Sequence, residues 1–305
     1  MSRAEFTLDT DVLRVVCWNI EHNGRGLSGH DDHRELARDI LASLEPHIVL
    51  RQELTGAWER GKADLYAEAN RVGGLMPFMT APREGRSRNP VGVMVHPGLF
   101  HVDGEFEHDM PWKPICNPRV RLKGCPKPID LASAHLCHFD PDLRATEARR
   151  LTTLADNGRS ALVGMDANSY PHTELESVAL PDWAAVEDRV HYQHRTVELA
   201  GRRVSDTRPD EILSGGARPV FTDLGLHAAS TLAQPGALAA TASLKRTDQG
   251  PAQRIDRVYS TPDLAPALLG FDVMATDDIR EVSDHALLLA TFDLDALRQV
   301  LTPTR

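Results

Sequence analysis

The sequence has few cysteines, few aromatic residues and no long apolar run. Four cysteines among 305 residues exclude a disulfide-rich scaffold. The longest apolar run lies within 286–292 and is far too short to span a bilayer. The N-terminal text "MSRAEFTLDTDVLRVV" lacks the apolar segment and small-residue cleavage site of a secretory signal. We therefore expect no contact with a membrane and a cytoplasmic location.

Basic charge is also scarce. The chain has 34 Lys and Arg against 44 Asp and Glu, which gives a formal net charge of −10, and five of the basic residues are Lys. Neutralising a phosphate backbone normally needs a cationic face, so this composition argues against a protein that coats nucleic acid. It does not exclude a nuclease, because a divalent cation held between carboxylates reverses the local charge.

Short apolar segments alternate with helical patterns along the chain. A strand is predicted at 13–18, and Leu36, Ile40 and Leu44 then form a stripe at helical spacing. Leu151 and Leu154 are predicted to be core residues of a later helix. The alternation predicts an α/β fold, and the length with no evident linker predicts one domain over 1–305. The Gly- and Pro-rich segment 183–251 is predicted to form long loops around a site.

The cysteines allow several interpretations. We take them mainly as small buried apolar residues. A disulfide between Cys116 and Cys125 is an alternative, and so is a zinc site formed by Cys116, Cys125 and Cys137 with nearby histidines.

Polar residues stand at the C-terminal ends of six predicted strands. An isolated Asp in such a place is usually a cap or turn residue, but each member of this set can bind a hard cation or move a proton. Because ligand sites of α/β sheets lie where strands end, the set predicts one shared cleft. The residues are Asn19, Glu53, His135, Asp166, Asn168, Asp256, Asp284 and His285.

The ordered series "WNI", "QE", "AHL", "GMDAN", "RIDRV" and "SDH" resembles the motifs of the endonuclease/exonuclease/phosphatase superfamily, which has the DNase I-like fold. The resemblance covers the chain from about residue 13 to residue 294. It implies a four-layer α/β sandwich in which two mixed β-sheets pack face to face with helices outside. It also implies a hydrolase that cleaves phosphate esters with Mg²⁺ or Mn²⁺.

The resemblance implies a metal site formed by Glu53, the main ligand, with Asn19 and Asp284. These residues also suit the cation by their chemistry, since Mg²⁺ prefers oxygen ligands and is usually held by one or two carboxylates.

The resemblance assigns catalytic roles to five residues. His135 would contact the scissile phosphate and stabilise its charge when protonated, Asp166 would orient the nucleophile, and Asn168 would contact the phosphate. Asp256 would orient His285, the general base, and an imidazole backed by a carboxylate is suited to accept a proton near neutral pH.

The sequence departs from the family pattern in two places. Gly164 and Met165 stand where the family commonly has Gly-Gly, and His135 stands where abasic-site nucleases place a tyrosine. The second difference argues against abasic-site repair.

Further residues are candidates for contact with substrate. Tyr170 is expected to form a wall of the cleft, and Arg86 and Arg88 are expected to grip a phosphate, with a solvated loop as the alternative. The stretch "RVHYQHR" at 189–195 is predicted to be either a pocket wall or a surface loop.

The predicted activity is hydrolysis of a phosphodiester or phosphomonoester by in-line attack of an activated water. A small phosphorylated metabolite or nucleotide is the favoured substrate, with DNA or RNA as the alternative. A second alternative is a catalytically silent binding protein of the same fold. A monomer is favoured.

Overall fold

The computed structural model describes residues 11–26, 32–83, 85–173, 175, 180–245 and 248–302. Among the helices of this part of the chain, none is long and apolar enough to cross a membrane. The strands are β1 (Val12–Asn19), β2 (Ile48–Gln52), β3 (Met76–Met79), β4 (Gly92–Val95), β5 (Phe100–His108), β6 (Ile115–Leu122), β7 (Ile129–His135), β8 (Ser160–Asp166), β9 (Thr196–Leu199), β10 (Arg202–Ser205), β11 (Thr222–Asp223), β12 (Asp256–Ser260), β13 (Leu268–Met274) and β14 (Leu287–Asp293).

Helices connect or flank these strands. The α-helices are α1 (Arg34–Ser43), α2 (Glu59–Arg71), α3 (Pro141–Thr152), α4 (Arg189–Arg195), α5 (Arg208–Ser214), α6 (Leu224–Thr231), α7 (Asp277–Val282) and α8 (Leu294–Leu301). Short 3₁₀ helices lie at Glu21–Gly24, Thr153–Gly158, Pro235–Leu238 and Ala265–Ala267.

Within the described residues the strands form two mixed six-stranded sheets and a separate β9–β10 hairpin. The first sheet has the order β13-β14-β1-β2-β4-β3, and the second has the order β11-β12-β8-β7-β6-β5. In the first sheet β1 is parallel to β2 and antiparallel to β14. In the second sheet β8 is parallel to β7 and antiparallel to β12.

Three apolar layers hold the sheets and helices together. One lies between the sheets and includes Val15 and Leu50 from the first and Leu131 and Leu162 from the second. A second joins the outer face of the first sheet to α1, α2 and α7, and a third joins the second sheet to α3 and α5. The predicted four-layer sandwich, with helices outside two facing sheets, is therefore confirmed.

The predicted helical stripes pack as expected. Leu36, Ile40 and Leu44 lie partly buried against the second layer, and Leu151 and Leu154 are buried in the third.

The prediction of long loops over 183–251 is wrong. This region contains α4, α5 and α6 together with the β9–β10 hairpin. Two of the helices have only seven residues, which is too short to show an apolar period in the sequence. Local caps mark the starts of α4 and α6 instead, because Asp188 and Asp223 each accept hydrogen bonds from two backbone N–H groups.

All four cysteines are free and buried, so the expected alternative of a Cys116–Cys125 disulfide is wrong. Burial raises the pKa of the Cys116 thiol, as expected for a small apolar residue. The group of side chains that could hold a metal ion in the described ranges contains no cysteine, which leaves the zinc alternative without support.

The two sheets approach closely at Gly164 of β8. A Cβ atom at this position would lie 2.5 Å from Cδ1 of Leu50 and 2.9 Å from Sγ of Cys17, both on the first sheet. Nearby, Gln52 Nε2 donates a hydrogen bond to Ser133 Oγ at 3.0 Å and so joins β2 to β7. The glycine of the "GMDAN" motif is therefore required by the packing of one sheet on the other.

We expect Gly164→Ala to destabilise the fold by about 1–3 kcal/mol, because an added methyl group in a close-packed core forces its neighbours apart. The measurement is chemical unfolding monitored by circular dichroism. Gly236→Ala is the matched control, since a Cβ there meets nothing within 4 Å. Equal stability of the two variants would contradict the close approach at Gly164.

His47 ties three strands together. Its Nδ1 accepts a hydrogen bond from the backbone N–H of Arg14 at 3.0 Å, and its backbone O accepts one from His96. Burial, with smaller contributions from the charges of Arg14 and His96, lowers the pKa of His47 to about 4. The folded protein therefore holds this imidazole neutral.

We expect His47 to make stability fall as the pH is lowered. An unfolded histidine binds a proton below about pH 6.5, whereas folded His47 does so only near pH 4, so stability is full above 6.5 and declines between these values. Asparagine keeps an acceptor and does not titrate, so His47→Asn should show a weaker decline in urea midpoint from pH 7 to pH 4.5. A decline as steep as that of the wild type would show that other groups cause it.

Candidate active site

The candidate active site lies where strand ends of both sheets meet. The carboxyl ends of the parallel pairs β1–β2 and β7–β8 point to the same edge, and the antiparallel strands β12 and β14 begin there. This topology brings together residues that are up to 266 positions apart in the chain. They are Asn19 at the end of β1, Glu53 after β2, His135 at the end of β7, Asp166 at the end of β8, Asp256 at the start of β12, and His285 before β14. The expected C-terminal strand position is wrong for Asp256 and His285, because β12 and β14 run antiparallel to their neighbours β8 and β1.

Asp166 is the buried carboxylate that the other side chains share. Its Oδ2 accepts a hydrogen bond from Asn19 Nδ2 at 3.0 Å and lies 3.3 Å from His135 Nε2. Its Oδ1 accepts the backbone N–H of Asn168 at 2.9 Å. Burial opposes ionisation of this group, but His135, His285 and Arg195 outweigh it and lower the pKa of Asp166 to about 2.

His285 and Asp256 form a hydrogen-bonded dyad across the two sheets. His285 Nδ1 lies 2.8 Å from Asp256 Oδ2, and the backbone O of His285 accepts the indole N–H of Trp18. Burial of His285 favours the neutral ring, but Asp256, Asp284 and Asp166 prevail and raise the pKa of this imidazole well above its ordinary value. The contact leaves Nε2 facing Asn19 Nδ2 at 3.4 Å.

The pKa of Asp256, the carboxyl group of the dyad, is also shifted. Burial is the main cause that raises the pKa of Asp256, to about 6, and Asp166 adds to it while His285 opposes it. Asp256 and Asp166 face each other in the β12–β8 register. Two buried carboxylates on facing residues of neighbouring strands need a cation or a proton nearby to be stable.

His135 is the neutral histidine of the site. Burial and the charge of Lys113 lower the pKa of His135 well below its ordinary value. Its Nε2 faces Asp166, whereas its Nδ1 is buried with no hydrogen-bond partner among the described residues. The protonated His135 expected from the sequence stays a prediction.

A second acidic group borders the dyad. Burial is the main cause that raises the pKa of Glu21, and the negative charges of Asp284 and Glu53 add to it. Asn19 Oδ1 is buried and accepts no hydrogen bond from the described part of the chain. Neighbouring carboxylates and an amide oxygen without a partner are the donor set that a hard divalent cation prefers.

Asp166, Asp256 and His285 also offer ligand atoms within 4.8 Å of one another. The Nδ1 atom of His285 in this trio is already bonded to Asp256. Glu53, Asp284 and Asn19 offer the oxygen donors that a hard divalent cation prefers.

Two residues of the site have left-handed backbones. Glu53 has φ of 56° and Asn168 has φ of 48°, although neither is glycine. Glu53 is held in place because its Oε2 accepts the backbone N–H of His22, and Asn168 because its Nδ2 donates to the carbonyl of Leu136. Such backbone strain persists only where surrounding contacts enforce it, and it is typical of functional sites.

These residues surround a cavity of about 290 Å³. It contains five of the side chains predicted from the sequence and five others. The lining residues are Glu53, Ser87, Asn89, Lys113, His135, His138, Asp166, Asn168, Arg195 and His285.

The cavity contains two cationic side chains, Lys113 and Arg195. Burial lowers the pKa of Lys113 to about 8, against the opposing charges of Glu53 and Asp166. Arg195 donates a hydrogen bond to the backbone O of Asn168 at 2.6 Å. Sequence analysis missed Lys113, which has no motif around it, whereas Arg195 belongs to the stretch 189–195 for which a pocket wall was one interpretation.

The structure does not bring Arg86 and Arg88 into the cavity lining. Arg86 donates instead to Asp109 and to the carbonyl of Met110. The alternate residues Ser87 and Asn89 line the cavity.

Tyr170 lies outside the cavity lining. It is buried in a cluster with Trp183, Val186, Ala242 and Ile255, and its hydroxyl lies 3.3 Å from His191 Nε2. Its place close after Asn168 puts it under the site, where it supports the loop.

Comparisons with known proteins identify the fold. No protein-family model and no curated protein matches the chain. Among solved structures, an endonuclease/exonuclease/phosphatase from Bacteroides vulgatus matches with a TM-score of 0.64 and 14% identity, over 93% of this chain and 100% of that one. The human Nocturnin catalytic domain matches with a TM-score of 0.61 and 12% identity, over 92% and 94%.

An AP endonuclease from Archaeoglobus fulgidus matches with a TM-score of 0.60 and 16% identity, over 92% of this chain and 100% of that one. At these identities the likeness is one of fold. The protein has the DNase I-like α/β sandwich, as the motif series predicts.

Proposed function

We propose that the protein is a divalent-metal-dependent hydrolase of phosphate esters. The observation that carries the proposal is the His285–Asp256 dyad, whose second ring nitrogen, Nε2, lies near Asn19 and Asp166 at a cavity that His135 also lines. A carboxylate-backed imidazole at a polar cavity is an arrangement suited to removing a proton from water.

In the proposed reaction His285 Nε2 accepts the proton of a water that attacks phosphorus opposite the leaving oxygen. Asp256 holds the Nδ1–H of the same ring, so it selects the tautomer and stabilises the imidazolium that forms. Asp166, which is ionised and anchored by Asn19, orients the water. The leaving oxygen departs with the bond electrons and takes up a proton.

Negative charge on the phosphate increases during attack. Lys113 and Arg195 supply positive charge at the cavity. Glu53, Asp284 and Asn19 Oδ1 would hold the divalent cation. When bound, Mg²⁺ or Mn²⁺ supplies charge neutralisation and acidifies water, and it also offsets the acids that hold the pKa of His285 high.

The size of the cavity favours a small substrate. Its volume of about 290 Å³ is near the lower limit for small-molecule pockets, and the net charge of −10 opposes binding of a long nucleic acid. We therefore propose a small phosphorylated metabolite or nucleotide. A nuclease is the second candidate, because a structure of the same fold is named an AP endonuclease.

We expect Mg²⁺ or Mn²⁺ to raise the melting temperature of the protein, because a ligand that binds only the folded state stabilises it. At 100 times its dissociation constant the effect is about 2.7 kcal/mol. The measurement is differential scanning calorimetry with metal and then with excess EDTA.

Glu53→Gln should abolish most of this shift, since the amide lacks the charge that holds the cation. Asp103→Asn is the control, because Asp103 pairs with Arg121 between β5 and β6 and does not line the cavity. A shift that is the same in both variants would place the cation elsewhere.

We expect His285→Ala to lower kcat/KM by about 10²–10⁴-fold, the usual contribution of a general base. Asp256→Asn should also lower it, because the amide cannot stabilise the imidazolium. The measurement is turnover of a generic phosphodiester and a generic phosphomonoester with Mg²⁺, Mn²⁺ or EDTA, with plasmid and single-stranded DNA digested alongside.

His101→Ala is the matched control, because His101 is exposed on β5 and should leave turnover unchanged. Activity that survives both EDTA and His285→Ala would overturn the mechanism.

A further inference from the structure

Four rings meet beside the cavity: Trp112, His138, Phe139 and His194, here called the ring cluster. The Trp112 and Phe139 ring centroids are 4.9 Å apart in a T-shaped contact. His138 contacts Trp112 at 6.0 Å and His194 at 6.3 Å. The cluster combines the loop before β6, the loop after β7 and helix α4.

The ring cluster directly adjoins the candidate active site. His138 belongs to both, since it lines the cavity. Lys113 follows Trp112 in the chain, Arg195 follows His194, and both cations also line the cavity. The rings therefore stand next to the place where a substrate phosphate would meet positive charge.

The exposure of the rings does not suit a purely structural role. His138 is exposed, and Trp112, Phe139 and His194 are half-buried. None of the four belongs to the apolar layers formed by the described residues. The indole N–H of Trp112 has no hydrogen-bond partner within those residues, whereas a structural tryptophan normally has one.

We propose that the ring cluster binds a planar ring carried by the substrate, so that the enzyme acts on nucleotide-type phosphate esters rather than on aliphatic ones. A nucleotide has a phosphate at one end and an aromatic base at the other, which matches the cations beside the ring cluster. Each base stacked on an aromatic side chain contributes about 1–3 kcal/mol. This inference rests on the proposed function and narrows its substrate class.

The first test compares kcat/KM for two substrate pairs that differ only in the base. One pair is a nucleoside 5′-monophosphate and ribose 5-phosphate; the other is a dinucleotide and its analogue without bases. The wild type should prefer the base-bearing member by about 5- to 150-fold, the ratio that corresponds to one stacked base. Equal turnover of both members would overturn the proposal.

Variants of Trp112 test whether the ring cluster causes the preference for base-bearing substrates. Trp112→Leu should bring the ratio close to one by raising KM for the base-bearing substrate, whereas Trp112→Phe keeps a ring and should retain most of it. Trp58→Leu is the matched control, since Trp58 is an exposed tryptophan near α2. A ratio that Trp112→Leu leaves unchanged would also overturn the proposal.

A binding experiment separates failure of this inference from failure of the proposed function. Tryptophan fluorescence of His285→Ala is titrated with adenosine 5′-monophosphate and with ribose 5-phosphate. Quenching by the nucleotide alone, lost when Trp112→Leu is added, supports the ring cluster even if no phosphate ester is hydrolysed. The same response to both ligands, or none to the nucleotide, contradicts it.

Discussion

The site depends on one buried carboxylate. Asp166 is taken out of water at the end of β8, where its charge is stable only because donors from both sheets converge on it. Asn19 reaches it from the first sheet, and His135 and the backbone of Asn168 reach it from the second. Because the charge of Asp166 needs donors from both sheets, the same contacts also hold the two sheets together at this edge.

The close approach of the sheets makes that convergence possible. Gly164 lies two residues before Asp166 and lets β8 contact Leu50 and Cys17 of the first sheet. With the backbones this near, the short side chains of Asn19 and Asp256 are long enough to bridge between sheets. A larger residue at 164 would separate the partners of the buried acid.

The chemical residues at strand ends were predictable because strand ends in an α/β sandwich are also ligand positions. Lys113 and His138 were not, since they stand in connecting segments that carry no periodic pattern. Arg86 and Arg88, in the segment before β4, were predicted to contact substrate but do not line the cavity. Arg86 has the charge to grip a phosphate, but in the folded chain it pairs with Asp109, and Ser87 lines the cavity instead.

The pairing of Asp256 with His285 was implied by the resemblance of the motif series to a known family. The sequence by itself determined the alternation of strands and helices and the order of the polar motifs. These follow from local properties: apolar periodicity, turn residues and the chemistry of single side chains. The tertiary structure decided which cations and rings surround the dyad. Those choices depend on distances between segments far apart in the chain, and such distances arise only when the sheets pack.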